Sequence, residues 1–527
     1  MMKKSYIASF IIAIVVMAFH SCSDKWGSHY DDAANGASSN VMELMRSDAQ
    51  LSKFCQMVVA AGYADMLASS QTFTVFAPVN EALTNVDIND LPTVKRIVLN
   101  HIARFNCPVA QGKDAVVKMY NGKRLEFEGL KFGGAVILKA DIIAKNGILH
   151  VLESQIPYSF NIREYADTHE ATSSLSKFIS RFDDEVMDIE ASRPIGVDAS
   201  GATIYDSVMT AYNPILQHPV YGLGDIASED STFTMLMPDN DAWAKAYERI
   251  SPYFKVYRDN PLEADSVADV QTSLAIISDL IYRSRVENPM SVTSLISTSG
   301  SKITDVASLF ADSEKIGASN GLIYLTSQLN YDNTETWNKE IGVEAEAQYG
   351  RTPGVGTTVY TRAVTSDQAH AEEISNRNYI EVVGNTSSRN PGVTFSVPNV
   401  LSGEYDIVAS FVPAVTADAS VTGERTKLQF TLTYMDANGR SKTSNFKSDD
   451  YVTDSLQMTM MNVGRFDFPI SDYYDRLWLS QTGNTEQSIV PTTKLYIVTD
   501  VSNADFNSGK YVRQFRLDKI IFIPVKK

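Results

Sequence analysis

Hydrophobic and polar positions follow the same two-part pattern twice along the chain. Residues 73–80 read Phe-Thr-Val-Phe-Ala-Pro-Val-Asn, and residues 233–240 read Phe-Thr-Met-Leu-Met-Pro-Asp-Asn. Each copy predicts a buried strand that stops at a proline, after which a helix can begin. Later, an Asn-Gly pair opens a second apolar stretch, at residues 146–151 and again at residues 320–325. The repeat predicts two domains of the same kind in tandem.

Apolar residues with a helical period lie before and between these strands. Before the first strand, apolar residues recur with a helical period, at Leu44, Leu51, Phe54, Met57, Val58 and Leu67, and they predict helices packed over it. Between the copies, Phe178, Ile179 and Phe182 predict a further helix. Residues 194–219 are rich in Gly, Pro and Asn, and they predict a long irregular insertion.

From about residue 335, helical spacing gives way to short alternating stretches. These predict the strands of a β-sandwich, at residues 392–397, 403–412, 427–434, 477–479, 494–498 and 519–524. The predicted fold class is therefore multidomain α/β plus all-β, with two α/β domains followed by a jelly roll. The expected domains are 41–160, 161–333 and 335–527.

The repeated boxes resemble those of the fasciclin domain. Residues 74–82 are similar to the first conserved box of that family, residues 146–157 are similar to the second, and Asn100-His101 lies where a Tyr-His pair is usual. The family is an α/β module known for extracellular adhesion and binding rather than chemistry. The resemblance therefore implies a pair of binding domains.

The second copy departs from that pattern, and neither copy carries a catalytic motif. Tyr324 stands at the position of His150, and Tyr282-Arg283 lies near the place of the Tyr-His pair. The chain has no His-Glu-Xaa-Xaa-His, Cys-Xaa-Xaa-Cys or Gly-Xaa-Ser-Xaa-Gly arrangement. His101 and His150 are therefore interpreted as structural imidazoles with hydrogen-bond partners. An enzymatic function is not expected.

The beginning of the chain has the pattern of an export signal. Two lysines precede an apolar stretch at residues 7–19, which is too short to span a membrane, and Cys22 follows shortly after it. This order predicts a signal peptide over residues 1–21 and a lipid attached to Cys22, at the start of a flexible tether over residues 22–40. Cleavage elsewhere, as an ordinary secretory peptide, is the alternative, because the residues before Cys22 depart from the usual lipobox.

The residues after Cys22 and the overall charge indicate a location. Ser23-Asp24-Lys25 resembles the acidic export signals of surface lipoproteins in Gram-negative bacteria that carry starch-utilisation-system-like glycan uptake machinery. The resemblance implies an outer-membrane protein, anchored by its lipid alone and exposed at the cell surface. A formal net charge of −17 without a basic patch argues against nucleic acid as a partner.

Only two cysteines lie beyond Cys22. They are Cys55 and Cys107, both in the first predicted domain. Two buried thiols are expected. A disulfide between them is the alternative, which requires Cα atoms within about 7 Å.

Short acidic segments in the predicted sandwich give a second resemblance. Residues 343–346 at its start and 516–520 at its end are similar to segments of galactose-binding-like jelly-roll modules that bind carbohydrate. In such modules, acidic residues on the first and last strands often hold a structural calcium ion. The resemblance implies calcium ligands at Glu344, Glu346 and Asp518, with carbonyl oxygens or water completing the ~6 to 8 oxygens that calcium takes. Solvated glutamates on an edge strand are the alternative.

One stretch of the predicted sandwich combines aromatic and polar residues, as sugar binding requires. Its candidate glycan contacts are Tyr473, Tyr474 and Trp478. Alternation along a strand would place Tyr474 and Trp478 on one face and Tyr473 on the other. Burial of Trp478 in the core is the alternative, and Trp337 and Tyr360 are further candidates.

These patterns together predict a non-enzymatic cell-surface lipoprotein that binds glycan or a partner protein, as an accessory of an outer-membrane glycan-uptake complex. Anchoring favours this function because it raises the effective concentration of a weak binder. Two alternatives stay open. One is an adhesin that binds a host or neighbouring-cell protein through the fasciclin-like domains, and the other is a structural subunit that docks on a transporter.

Overall fold

The computed structural model describes residues 38–111, 115–197, 200–386, 389–473 and 491–526. The chain divides into two compact units, Met1–Asn161 and Ile162–Lys527. Cys22 and the predicted signal peptide lie outside the described residues, as does most of the predicted tether.

In the first unit, helices and strands combine in one α/β arrangement. Its described elements are α1 (Val41–Ser47), α2 (Ser52–Ala60), α3 (Ala64–Ala68), β1 (Phe73–Pro78), α4 (Leu91–Leu99), β2 (Ile102–Ala103), β3 (Val116–Lys118), β4 (Arg124–Glu128), β5 (Lys131–Phe132), β6 (Ala135–Ala144) and β7 (Gly147–Leu152). The strand order of the sheet is β2-β1-β7-β6-β5-β4-β3. β1 and β7 carry the two repeated boxes and lie parallel, with Phe73 opposite Gly147. All residues of both strands are buried, so the boxes build the core.

Asn146 and Gly147 show why the second box begins with Asn-Gly. The Asn146 Nδ2 donates to the carbonyl of Leu67 at 2.9 Å, and its Oδ1 accepts from the backbone N–H of Val41 at 2.8 Å. Gly147 has a φ of +147°, and a Cβ there would lie 1.8 Å from the carbonyl oxygen of Phe73. Asparagine thus joins the helices to the sheet, and only glycine lets the strands approach so closely.

The second unit begins with the same architecture. Its described elements up to residue 326 are α5 (Ile162–Thr168), α6 (Ser173–Ser180), β8 (Asp184–Val197), β9 (Thr203–Tyr212), α7 (Pro214–Gln217), β10 (Phe233–Pro238), α8 (Asn240–Ile250), α9 (Pro261–Ile277), β11 (Ile281–Arg283), β12 (Leu295–Ile296), β13 (Lys302–Ile303), α10 (Val306–Phe310), β14 (Glu314–Ala318) and β15 (Gly321–Thr326). Its sheet has the order β11-β10-β15-β14, with β10 and β15 parallel. Asn320 repeats the role of Asn146, because it bonds the Ile226 carbonyl at 2.8 Å and the Ile162 N–H at 3.0 Å.

A two-stranded ribbon, β8 paired antiparallel with β9, stands where an irregular insertion was predicted. The prediction for residues 194–219 was wrong over most of its length. Residues 203–212 are rich in β-branched and aromatic side chains, which favour strands. Their pairing partner lies earlier in the chain, so the Gly and Pro residues mark turns and strand ends rather than a long loop.

The rest of the second unit is a β-sandwich. Its described elements are β16 (Ile341–Glu344), β17 (Arg351–Pro353), β18 (Thr357–Ala363), β19 (Asn378–Gly384), β20 (Gly392–Ser396), β21 (Gly403–Phe411), α11 (Ala414–Ala417), β22 (Leu428–Met435), β23 (Ser441–Phe446), β24 (Thr459–Phe468), β25 (Lys494–Thr499), α12 (Asn503–Asn507) and β26 (Gln514–Pro524). One sheet has the order β18-β19-β26-β21-β24, with β16 also paired to β26, and the other has the order β17-β20-β25-β22-β23. The predicted fold class, α/β plus all-β, is confirmed. The strand predicted at residues 477–479 lies outside the described residues.

Within the second unit, the α/β part and the sandwich share one hydrophobic core. Backbone hydrogen bonds join them, from Ser402 N to Tyr253 O at 2.9 Å and from Ser471 N to Lys255 O at 2.6 Å. The predicted boundary between residues 333 and 335 stays a prediction.

Candidate functional site

His101 and His150 are structural, as predicted. The His101 Nδ1 lies 2.7 Å from the Ile97 carbonyl, and its Nε2 accepts from the Ile156 N–H at 3.0 Å. The His150 Nε2 lies 3.0 Å from the Cys107 carbonyl. Burial lowers the pKa of His101 to about 4 and also lowers the pKa of His150. Both imidazoles are therefore held neutral by their surroundings.

The register of the second unit corrects the predicted position of its equivalent pair. The Phe76 N–H bonds the His101 carbonyl, and in the second unit the Leu236 N–H bonds the Leu280 carbonyl, both at 2.9 Å. Leu280 therefore occupies the place of His101. The equivalent of Asn100-His101 is Asp279-Leu280, and Tyr282-Arg283 lies further along. The sequence placed the pair too far along because residues 279–283 contain no histidine. The equivalence of Leu280 with His101 is visible only in the strand pairing.

Both predicted thiols, Cys55 and Cys107, are free and buried. This confirms the expectation of two buried thiols. Burial raises the pKa of the Cys107 thiol, which keeps it protonated and unreactive.

The three predicted calcium ligands lie around the turn at Ser375–Asn376. The Ser375 Oγ donates to Glu344 Oε1 at 2.8 Å, and the Ser375 N–H donates to Asp518 Oδ1 at 2.9 Å. The Asn376 Nδ2 donates to Glu346 Oε1 at 3.3 Å. The pairing of β16 with β26, the first and last strands, brings the carboxylates together.

Each of these carboxylates has one buried oxygen without a hydrogen-bond partner among the described residues: Glu344 Oε2, Glu346 Oε2 and Asp518 Oδ2. Burial, with a contribution from the charge of Glu344, raises the pKa of Asp518 to about 6. Among the described residues, no three His, Cys, Asp or Glu side chains form a metal-binding group by themselves. The orphaned oxygens are hard donors of the type that calcium prefers, and coordination by them would need further oxygens from carbonyls or water.

Of the predicted glycan contacts, the structure describes Tyr473 alone, since Tyr474 and Trp478 fall in a segment outside the described residues. The Tyr473 ring is half-buried and packs edge-on against Phe254, with ring centroids 5.5 Å apart. Its carbonyl accepts from the Gln271 Nε2 at 3.0 Å. Tyr473 therefore lies where the sandwich meets helix α9.

A cleft of about 390 Å³ opens at this junction, inside the second unit. It is lined by Trp337 and Tyr473, which were candidates in the sequence, and by Asp279, Gln271 and Lys339, which were not. The sequence signal that could have indicated it is the hydroxyl-rich turn Ser297–Ser301, with two serines that also line the cleft. Tyr360, the other aromatic candidate, is exposed beside Arg362 on β18 and does not line the cleft.

No helix among the described residues combines the length and apolar character needed to cross a bilayer. The ribbon β8–β9 exposes apolar side chains, each 36% to 68% accessible: Val186, Met187, Ile189, Ile195, Val197, Ile204, Val208 and Met209.

Comparison with known proteins supports the first resemblance. The fasciclin domain family model matches residues 49–157. The uncharacterized protein sll1735 of Synechocystis sp. is 29% identical over 128 residues, 22% of this chain and 96% of that protein. Protein sll1483 of the same organism is 28% identical over 155 residues, 27% of this chain and 86% of that protein. Residues 49–157 therefore form a fasciclin domain.

Two solved structures are similar to parts of this chain. A FAS1 domain pair from the insect cell adhesion molecule fasciclin I shares 16% identity, covering 54% of this chain and 98% of that chain, with a TM-score of 0.20. The CBM22-1 xylan-binding domain from Paenibacillus barcinonensis shares 14% identity, covering 36% of this chain and 94% of that chain, with a TM-score of 0.21.

Proposed function

We propose that this protein is a non-enzymatic, lipid-anchored protein of the outer-membrane surface that binds glycan, as an accessory of a glycan-uptake complex. The observation that carries the proposal is the combination of a fasciclin domain with a β-sandwich whose first and last strands bring three carboxylates onto one turn. The predicted leader and Cys22 supply the anchor. A weak binder held at a surface gains effective concentration toward a polymer.

A structural calcium ion belongs to this proposal. Glu344, Glu346 and Asp518 would hold it through the buried oxygens that have no hydrogen-bond partner in the described part of the chain. Bound there, the ion would neutralise carboxylates that otherwise repel one another, and it would fix β16 against the turn at residues 375–376. Its role is to stabilise the sandwich rather than to contact glycan.

Affinity electrophoresis of residues 38–527 through gels that contain single polysaccharides tests the glycan function. We expect at least one polysaccharide to retard the protein. We expect Trp478→Ala and Tyr474→Ala to weaken the retardation if the predicted aromatic stretch contacts the polymer, whereas Phe105→Ala, an exposed aromatic of the first unit, leaves it unchanged. Mobility unchanged by every polysaccharide would overturn glycan binding.

The ribbon β8–β9 favours a second candidate function, the binding of a partner protein. A two-stranded ribbon is marginally stable alone, and eight of its apolar side chains are exposed. Larger exposed apolar patches mark interaction surfaces. Docking of this ribbon on a membrane transporter or a neighbouring-cell protein would cover them, which agrees with either alternative expected from the sequence.

A further inference from the structure

The second unit differs from the first at one turn, and the difference creates space. Backbone hydrogen bonds align Met119–Lys123 with Ser297–Ser301: Met119 N to Lys123 O spans 2.8 Å, and Ser297 N to Ser301 O spans 2.9 Å. In the first unit, Met119 and Lys123 are long side chains buried at this turn. In the second unit serines replace both of them, so the side chains at this turn, of which Ser301 lines the cleft, fill less volume.

The same alignment places a carboxylate where the first unit has an amide. Asn100, one residue before His101, corresponds to Asp279, one residue before Leu280. Asp279 is 5% exposed and lines the cleft. Its Oδ1 accepts hydrogen bonds from the hydroxyls of Ser297, at 2.7 Å, and of Ser299. A buried acceptor, oriented by two hydroxyls, therefore lies at the cleft wall.

Gln271 supplies an independent sign that the cleft takes a polar ligand. Its side chain is 5% exposed, and its Nε2 is fixed by the Tyr473 carbonyl. Its Oε1 is buried and has no hydrogen-bond partner among the described residues. An unsatisfied buried amide oxygen destabilises the protein, and a ligand hydroxyl donating to it would remove that cost.

The remaining walls define the ligand's chemistry. The Trp337 and Tyr473 rings border the cleft, and Trp337 is braced by Tyr253, with centroids 5.0 Å apart. Lys339 Nζ donates to Ser301 Oγ at 2.5 Å, so a cation lies at the turn whose Ser297 and Ser299 hydroxyls bond Asp279. Charges of both signs, hydroxyls and aromatic faces together suit a neutral ligand rich in hydroxyl groups, each of which donates and accepts.

We propose that this cleft binds a neutral saccharide unit, with Asp279, Gln271 and Lys339 as polar contacts and the Trp337 and Tyr473 rings as its apolar walls. The cleft volume lies within the range of about 300–1,000 Å³ typical of small-molecule sites. The inference rests on the proposed function, because it assigns a place where glycan is held.

The first unit supplies the test variants. Asp279→Asn installs the residue that the first unit carries at the equivalent position, so the fold tolerates it. Ser301→Lys installs the equivalent lysine, which should fill the cleft. Thermal unfolding of residues 38–527 checks that each variant folds, because Ser301 is buried and a lysine there would lie beside Lys339. Asp279→Asn carries the test if Ser301→Lys does not fold. Phe105→Ala is the control outside the cleft.

Binding is measured by saturation-transfer NMR with glucose, galactose, mannose, xylose and N-acetylglucosamine, and by affinity electrophoresis on the polysaccharide panel. We expect at least one monosaccharide to bind, and we expect both cleft variants to weaken its binding at least tenfold. Binding that survives both variants, or no monosaccharide binding at all, overturns the cleft assignment.

The two assays separate this inference from the proposed function. Polysaccharide retardation that persists in the cleft variants, without monosaccharide binding, overturns the cleft and leaves the proposed function standing. Monosaccharide binding that depends on the cleft, without retardation by any polymer, supports the cleft and overturns capture of the tested polymers. If neither assay detects binding, both the cleft assignment and the proposed glycan binding are overturned.

Discussion

His101 is surrounded in a way that leaves no place for a second proton. Its Nε2 already receives the Ile156 N–H, and its Nδ1 lies against the Ile97 carbonyl. Protonation of Nε2 would direct two hydrogens at one another inside the core. Burial likewise opposes the charged form and lowers the pKa of His101 to about 4. The second unit has Leu280 at the same place and so lacks this titrating group.

Acid should therefore weaken the first unit. Because the folded pKa of His101 is lowered, the unfolded chain binds the proton more readily, so stability is present above about pH 6.5 and is lost as the pH falls toward 4. A shift of that size corresponds to about 3 kcal/mol across the window. Urea unfolding of residues 38–527 measures it, with Cys55 and Cys107 as reporters that a dipyridyl disulfide labels only when the first unit opens.

His101→Leu, the residue of the second unit, should flatten this pH dependence while costing about 1–3 kcal/mol at pH 7.5, because the buried Ile156 N–H loses its partner. The profile should keep some slope, since the pKa of His150 is lowered as well. His218→Leu, in the second unit, is the control. An unchanged profile in His101→Leu would show that this imidazole does not govern acid sensitivity.

Among the secondary-structure elements, the strands that carry the repeated boxes were predictable from sequence, whereas the ribbon was not. β1 and β10 each combine continuous apolar character with a proline stop, and these are local signals. β8 and β9 are defined by pairing with each other, and their exposed apolar positions give no amphipathic pattern. The equivalence of Asp279 with Asn100 likewise depends on strand register, and the cleft depends on residues far apart in sequence that meet only after folding.

The ribbon should carry partner binding if the second candidate function holds. Ile189→Ser and Ile195→Ser replace side chains that are 64% and 62% exposed, so we expect stability to change by no more than about 0.5 kcal/mol. A protein captured from outer membranes by residues 38–527 should be lost with this double variant and retained with Ile296→Ser, a control of matched exposure on β12. Equal capture by the wild type, the double variant and Ile296→Ser would show that the ribbon does not bind the partner.

At the scale of the whole molecule, the second unit is one folded body built from an α/β part and a sandwich with a common core. A change at the carboxylate cluster should therefore alter the thermal unfolding of the entire unit rather than that of the sandwich alone. The cluster joins the first and last strands of the sandwich, and β26 also pairs with β19 and β21. The charges of the carboxylate cluster therefore act on β26, a central strand of the sheet.

Calcium should stabilise the second unit, and protonation of Asp518 should weaken calcium binding. Without the ion, the raised pKa of Asp518, about 6, means that the folded state holds its proton more tightly, so this group's contribution to stability falls as the pH rises from about 4 to 6. Calcium needs the ionised carboxylate. Its affinity should therefore be about tenfold higher at pH 7 than at pH 5, for a group that titrates near 6.

Thermal unfolding of residues 38–527 with calcium or chelator, at pH 7 and pH 5, measures both effects. We expect calcium to raise the unfolding temperature of the second unit at pH 7, and to raise it less at pH 5 at the same concentration. Asp518→Asn should weaken the calcium effect, whereas Asp449→Asn, which alters a carboxylate 99% exposed on the same sandwich, should preserve it. Identical unfolding with calcium and chelator at pH 7 would refute the calcium site. A calcium effect of unchanged size in Asp518→Asn would place the ion elsewhere, because an amide oxygen lacks the negative charge that the Asp518 carboxylate contributes to calcium binding.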